Sequence, residues 1–307
     1  MIKRCIAAAK ARLVGKKNNY FEVGTEETKD YWTDHNVTMH HGFRCEQDSL
    51  EYFHWRNDQY FNYIELMPVS GQDNKAVLDF GCGPGHDLVG FGVYSRPKKL
   101  VGIDLSPSSL AEAASRLFLH GINAELIQLS PDAAKLPFES AIFDHIHCSG
   151  VLHHTPDPAG ILRELRRVLQ PSGTMNVMVY NYDSLWLHLF VAYQRAIVQG
   201  LYSELDIREQ FQHSTDGENC PISNCYRPNE WVALCKSAGL NAEFWGAAIS
   251  MHEMAMLPLR FAAIQDRCLP IESRDFLLSL KFDERGYPKY NGHYAGVDAC
   301  YRVTRVN

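Results

Sequence analysis

The stretch Val77-Leu78-Asp79-Phe80-Gly81-Cys82-Gly83-Pro84-Gly85-His86-Asp87 decides the fold. Ala76 to Phe80 is a short apolar run and predicts a buried strand. Glycines follow at alternate positions 81, 83 and 85, and Leu88 to Tyr94 resumes an apolar stretch of helical length. Strand, glycine turn and helix form the opening unit of a ligand-binding α/β sheet, because glycine lets the backbone approach a ligand closely.

The spacing is G-x-G-x-G, which is not the G-x-G-x-x-G of dinucleotide sites, and the chain has no G-x-x-x-x-G-K-[ST]. Asp79 stands two residues before the first glycine. A carboxylate there repels a pyrophosphate and suits a ligand with positive charge, such as the ammonium and sulfonium of S-adenosylmethionine.

Outward from this stretch the chain alternates as βαβ units do. Strands are predicted at 76–80, 100–104, 124–128, 143–148, 174–180, 241–247 and 297–303. Helices are predicted near 85–95, 107–120, 158–169 and 228–238. Ser106-Pro107 supplies an N-cap and a proline at the first helical position, Gly121 a stop, and Pro171-Ser172-Gly173 a turn. Residues 182–227 and 250–292 interrupt the alternation as insertions.

Asp79-Phe80-Gly81-Cys82-Gly83-Pro84-Gly85 resembles the first motif of the class I S-adenosylmethionine-dependent methyltransferases. The resemblance continues through Val101-Gly102-Ile103-Asp104-Leu105-Ser106, Ser130-Pro131-Asp132-Ala133 with Leu136-Pro137-Phe138, Phe143-Asp144-His145-Ile146, and Val151-Leu152-His153-His154-Thr155-Pro156-Asp157. In this order the stretches are similar to the small-molecule branch that includes the ubiquinone and menaquinone C-methyltransferases. The resemblance covers roughly residues 75–181. It implies a Rossmann-like parallel sheet with helices on both faces and a terminal antiparallel strand, 297–303, beside the one before it. Residues 1–70 become an N-terminal helical extension or lid, and 71–307 the methyltransferase domain.

The resemblance also implies site residues. Asp104 would accept both hydroxyls of the ribose. Asp132 would meet the adenine amino group and the Ala133 amide a ring nitrogen, with Leu105 and Phe138 on the adenine faces. Gly81, Cys82 and Gly83 would line the methionine portion, Asp79 would hold its ammonium, and Cys148 and Ser149 would approach through backbone groups. The cofactor is then S-adenosyl-L-methionine and the product S-adenosyl-L-homocysteine. The cofactor arrives activated, so the protein supplies proximity and alignment, and a base helps only if the acceptor must lose a proton. His153 and His154 are candidates, although a structural or cofactor-positioning role outweighs a base for them. Tyr180, Tyr182 and His213 are further candidates, with Asp216 and Tyr226 beside them in the first insertion.

The remaining features bound the function. The chain has 307 residues, 46% of them hydrophobic and 21% charged, with a formal net charge of −6. That balance argues against a general nucleic-acid binder. No apolar run reaches membrane-spanning length, so no stable membrane insertion is expected. Nine cysteines without a C-x-x-C pair read as free thiols in the cytoplasm or another reducing compartment, and no metal site is expected. Cys45, Cys220 and Cys225 do not by themselves make a thiolate site for an arsenic or thiol substrate. Lys3, Arg4, Lys10, Arg12, Lys16 and Lys17 precede any acid and read as a solvated basic helix rather than a surface anchor or targeting peptide. Residues 18–60 are rich in aromatics and histidine, and a helix is expected from Ser49 to Met67. The leading expectation is methyl transfer to a small-molecule acceptor. A protein methyltransferase and a non-catalytic, cofactor-binding partner subunit are the alternatives, and homo-oligomer formation is left open.

Overall fold

A computed structural model describes residues 24–39, 41–133 and 135–306. The basic N-terminal residues, Tyr20, Phe21 and His40 lie outside these. The extension contains α1 (Glu26–Asp34), α2 (Glu46–Asp58), β1 (Tyr60–Phe61) and α3 (Tyr63–Leu66). The core follows with β2 (Ala76–Phe80), α4 (His86–Tyr94), β3 (Lys99–Asp104), α5 (Pro107–Leu119), β4 (Glu125–Gln128), β5 (Phe143–Ser149), α6 (Pro158–Val168) and β6 (Leu169–Tyr180). After the first insertion come α7 (Pro228–Ser237) and β7 (Leu240–Ser250). The second insertion carries a three-stranded sheet of β8 (Lys281–Phe282), β9 (Pro288–Tyr290) and β10 (His293–Tyr294), and β11 (Asp298–Arg305) ends the sequence of strands.

The main sheet has the order β1-β7-β11-β6-β5-β2-β3-β4. β6, β5, β2, β3 and β4 run parallel, while β11 lies antiparallel to both β6 and β7. The expected terminal antiparallel strand is therefore present, wedged between its neighbours. α6 and α7 pack on one face, where Ile161, Leu162, Leu165 and Val168 form a fully buried stripe against Leu78, Ile146 and Val177. This spacing is the apolar face of a helix, and each such side chain contributes on the order of 2 kcal/mol by leaving water. Phe53, Leu88, Phe91 and Leu117 bring α2, α4 and α5 onto the other face. Ser106 Oγ accepts from the Ser109 amide at 3.2 Å, fixing the start of α5 as its sequence requires.

Two expectations need correction. The helix read over Ser49 to Met67 is broken. Its first part ends at Asp58, Tyr60 and Phe61 pair with Ser250 and Ile249, and Asn62 adopts φ 72° before α3. The edge of β7 offered backbone partners that a local pattern cannot reveal. The turn read at Pro171-Ser172-Gly173 lies within β6, where a register shift against β5 absorbs it.

The two insertions pack on each other. Leu185, which caps the π-helical segment Trp186–Val198, and Leu189 and Ala192 on it meet Phe276 and Leu277 of the helix Ile271–Ser279. Glu253 ties this layer to the sheet. Its carboxylate accepts from the Trp186 amide at 2.9 Å, the Ser250 amide and hydroxyl at 2.9 Å each, and the Val297 amide at 3.3 Å.

Candidate active site

The carboxyl ends of β2, β3, β5 and β6 open into one cavity of about 330 Å³. The glycine turn forms its floor. Gly81 has φ 74°, and a Cβ there would stand 2.3 Å from Val151, so only glycine fits. Gly83 has φ 50° with open space where a Cβ would be. Asp104 ends β3 with its carboxylate anchored by the Gly83 and Ser106 amides, both at 2.8 Å. Each oxygen keeps a lone pair for a ligand, and Asp104, Leu105, Cys82 and Ser149 all line the cavity.

Behind this floor lies a buried charge cluster. His147 Nε2 faces Asp87 Oδ2 at 3.3 Å. Burial alone would raise the Asp87 carboxyl, but His147 overcomes it and holds the group low. Burial likewise opposes the His147 imidazolium, and Asp87 raises it. Asp79 is 2% exposed and its Oδ2 has no hydrogen-bond partner among the described residues. Burial pushes its carboxyl up, against the pull of His147. Arg56 lines the cavity near this cluster and makes no hydrogen bond to a carboxylate among the described residues. It stays charged because Tyr63 and Asp87 outweigh its burial.

The other half of the cavity lies over β6, β11 and the insertion. His154 Nδ1 sits 2.6 Å from the Ile222 carbonyl. A carbonyl only accepts, so Nδ1 carries the proton and Nε2 presents a lone pair. Burial lowers the imidazole below its ordinary value although Asp216 pulls it up. Nε2 faces Asp216 Oδ2 at 3.7 Å. Asp216 is held in turn by Tyr180, whose hydroxyl donates to Oδ1 at 2.8 Å, and by Ser223 at 3.2 Å. Asp216 adopts φ 61°, and the Tyr31 hydroxyl of α1 donates to its carbonyl. Trp32, next along α1, packs on the His154 ring at 4.8 Å. The extension thus clamps the loop that carries Asp216.

His154, Tyr180, Gly81, Cys82, Gly83, Asp104, Leu105 and Ser149 are brought to the cavity as expected from the sequence. The other expected residues stand elsewhere. Asp79 lies behind the cavity floor and is not part of its lining. Cys148 is fully buried in the core. Asp132 is exposed and accepts from Ser130, and Ala133 packs at the core edge. Phe138 packs edge-on to Phe143 at 5.0 Å. His153 lies behind the cavity wall, its Nδ1 accepting from the Tyr180 amide at 3.3 Å. Tyr182 donates to Glu272 at 3.0 Å under the Arg227 guanidinium. His213 stacks on Tyr202 at 5.1 Å, and Tyr226 packs on Trp231.

His154, Asp216 and Cys220 have ligand atoms within 4.8 Å of one another. Those atoms are engaged locally: Cys220 Sγ donates to the Ile222 carbonyl at 3.4 Å, and burial pushes its thiol up to about 12. Cys45 is exposed and Cys225 packs with Tyr182 and Leu187, so the three cysteines share no site. The eight cysteines of the described residues are all free. No helix of the described residues is long and apolar enough to cross a membrane.

Sequence reading missed Arg56, Tyr60, Trp186 and Asp298, which also line the cavity. Asp298 left one signal, a lone acid in the apolar run Val297-Asp298-Ala299-Cys300. Arg56 left only its place in an aromatic segment.

A parallel sheet whose strand tips carry a glycine turn and an anchored acid defines an α/β protein that binds a nucleoside-containing cofactor. Residues 78–177 match the family described as "Methyltransferase domain". The chain is 30% identical over 176 residues to a ubiquinone biosynthesis O-methyltransferase of Pseudomonas paraeruginosa, covering 57% of this chain and 68% of that protein. It is 34% identical over 119 residues to a tRNA U34 carboxymethyltransferase of Nautilia profundicola, but this covers 39% of the chain and only 38% of the relative's own length. The methyltransferase in a complex with the Haloferax volcanii Trm112 activator shares the fold, with TM-score 0.52 and 18% identity over 91% of this chain and 96% of that one. The chain belongs to the class I S-adenosylmethionine-dependent methyltransferases, and S-adenosylmethionine is the cofactor of that fold. The site fits it: Gly83 leaves room against the turn, Asp104 is fixed with lone pairs to spare, and Arg56 brings a positive charge to the cavity lining.

Proposed function

We propose that this protein transfers a methyl group from S-adenosylmethionine to a small-molecule acceptor. The observation that carries this reading is the enclosure of one cavity by three separate parts of the chain. Trp32 comes from the extension, Trp186 and Asp216 from the first insertion, and Gly81, Gly83 and Asp104 from the sheet. A chamber walled in this way excludes water and admits a compact acceptor.

Bound S-adenosylmethionine supplies a methyl group already activated on a positively charged sulfur. The residues supply the rest. Asp104 takes the ribose hydroxyls, and Gly81 and Gly83 bring the backbone against the methionine chain. Asp79, behind the cavity floor, draws the ammonium toward that end of the site. Arg56 takes the carboxylate, a role its charge suits and no hydrogen bond to a carboxylate among the described residues preempts. Asp132 and Ala133 remain the adenine contacts by resemblance. His154, neutral and with Nε2 unprotonated, accepts a proton from the acceptor where one must leave. α1 acts as a lid through Tyr31 and Trp32.

Calorimetric titration with S-adenosylmethionine and S-adenosylhomocysteine tests the reading. Binding lost in Asp104→Ala supports it, and no binding by the folded protein refutes it. Transfer of labelled methyl to a peptide rather than a metabolite would favour a protein acceptor. Binding without transfer to any acceptor would favour a partner subunit.

A further inference from the structure

Asp298 opens β11 directly opposite Tyr180, the last residue of β6. This places it beyond β5, away from the strand tips that hold Gly81 and Asp104. Its side chain lines the cavity, the residue is only 3% exposed, and no donor among the described residues hydrogen-bonds its carboxyl. A buried carboxyl without a partner is costly, and the fold leaves this one facing a cavity. We propose that the methyl acceptor is an organic amine, bound as its cation by Asp298.

The proposal rests on the methyltransferase reading and names its substrate class. The surroundings of Asp298 are those of a cation site. Burial first, and then the Asp298 carboxyl, push the Tyr60 phenol up, which places the acid and that ring together. Trp32, Tyr180 and Trp186 line the same cavity, and aromatic faces attract an ammonium. Trp186 is fixed by a 2.9 Å hydrogen bond from its indole to Thr215. Asp216 adds a second carboxylate. An anionic acceptor would face both acids, and a neutral ring would leave Asp298 unpaired. Burial, with Glu253 and Asp216, pushes the Asp298 carboxyl up to about 8 against the pull of Arg56, so it still gains from a ligand that brings further positive charge.

The remaining step balances. The ammonium gives one proton to His154 Nε2, and the freed lone pair forms the new carbon–nitrogen bond. The carbon–sulfur bond breaks with its electron pair left on sulfur, so the positive charge passes from sulfur to the methylated nitrogen.

Three probes share one ring: tyramine, p-cresol and 4-hydroxyphenylacetate, which are cationic, neutral and anionic. Each is titrated into protein saturated with S-adenosylhomocysteine, and labelled methyl transfer to tyramine is followed in parallel. Tyramine should bind at least tenfold more tightly than either analogue and be methylated on nitrogen. Asp298→Asn and Asp298→Ala, checked for folding by their melting curves, should lose that preference while binding S-adenosylhomocysteine within about twofold of wild type. Equal or stronger binding of p-cresol or 4-hydroxyphenylacetate, or no binding of tyramine, overturns the proposal. So does parallel loss of S-adenosylhomocysteine binding in both variants, which would assign Asp298 to the cofactor. If the folded wild type binds no S-adenosylhomocysteine, the methyltransferase reading itself fails and the amine assignment falls with it.

Discussion

His154 turns its Nε2 toward Asp216 at 3.7 Å while its Nδ1 donates to the Ile222 carbonyl at 2.6 Å. One nitrogen is committed to the insertion and the other is left as a base beside an acid. The insertion therefore decides both the tautomer and the electrostatics of a residue that the parallel sheet positions.

That arrangement makes a pH prediction. Burial lowers the His154 imidazole more than Asp216 raises it. The base form is then present above the lowered value and is lost as pH falls through it. The acid limb of methyl transfer should lie below the ordinary imidazole value of about 6.5. His154→Gln should remove that limb and slow turnover on the order of a hundredfold. The NMR titration of the His154 ring, assigned with the same variant, gives an independent reading. A ring that titrates above about 6.5 contradicts the assignment.

Asp104→Ala removes the anchor of the Gly83 and Ser106 amides together with the proposed ribose acceptor. S-adenosylhomocysteine affinity should fall at least a hundredfold, about 2.7 kcal/mol. Calorimetry measures it directly. Affinity within threefold of wild type would show that the sugar is held elsewhere.

Arg56→Met tests the carboxylate contact. It should weaken S-adenosylhomocysteine binding tenfold or more and leave 5′-methylthioadenosine, which lacks the amino-acid part, nearly unchanged. Equal weakening of both would mean that Arg56 shapes the cavity rather than pairing with the ligand.

Buried neutral histidines predict acid lability. Burial lowers His145 and His188 to about 3. Between about 6.5 and 3 the unfolded chain takes up protons that these folded residues refuse, so stability falls as pH falls, by about 1.4 kcal/mol per unit per histidine. His147 works in the opposite sense, since Asp87 holds it charged. The urea midpoint should be lower at pH 5 than at pH 7, and His188→Gln should flatten the difference. A midpoint that does not change between these pH values would contradict the argument.

Glu253→Gln should destabilise the fold by about 1–3 kcal/mol. Trp186 donates to one oxygen and Ser250 and Val297 to the other. An amide nitrogen placed on either side faces donors. A melting curve checks this, and a neutral result would show that the insertion does not depend on this tie.

The cofactor half of the site was legible because its chemistry is local. Gly81, Gly83 and Asp104 sit at the ends of adjacent strands, and strand-turn-helix order alone takes them to one edge. Arg56 was not legible, because the helix carrying it reaches the cavity only after β1 docks on β7, a pairing between distant residues. Asp132, expected at the adenine, stands exposed and accepts from its own neighbour Ser130 in the turn after β4.

The sequence by itself determined the alternation of strands and helices, since periodicity and glycine spacing act within one βαβ unit, and its resemblance to a known family implied the antiparallel last strand and the cofactor. Only the tertiary structure decided the half of the cavity beyond the glycine turn. Trp32, His154, Trp186, Asp216 and Asp298 come from the extension, the core, the insertion and the last strand. Nothing local links them, and it is the burial of the insertions against the sheet that brings their charges and rings into one cavity.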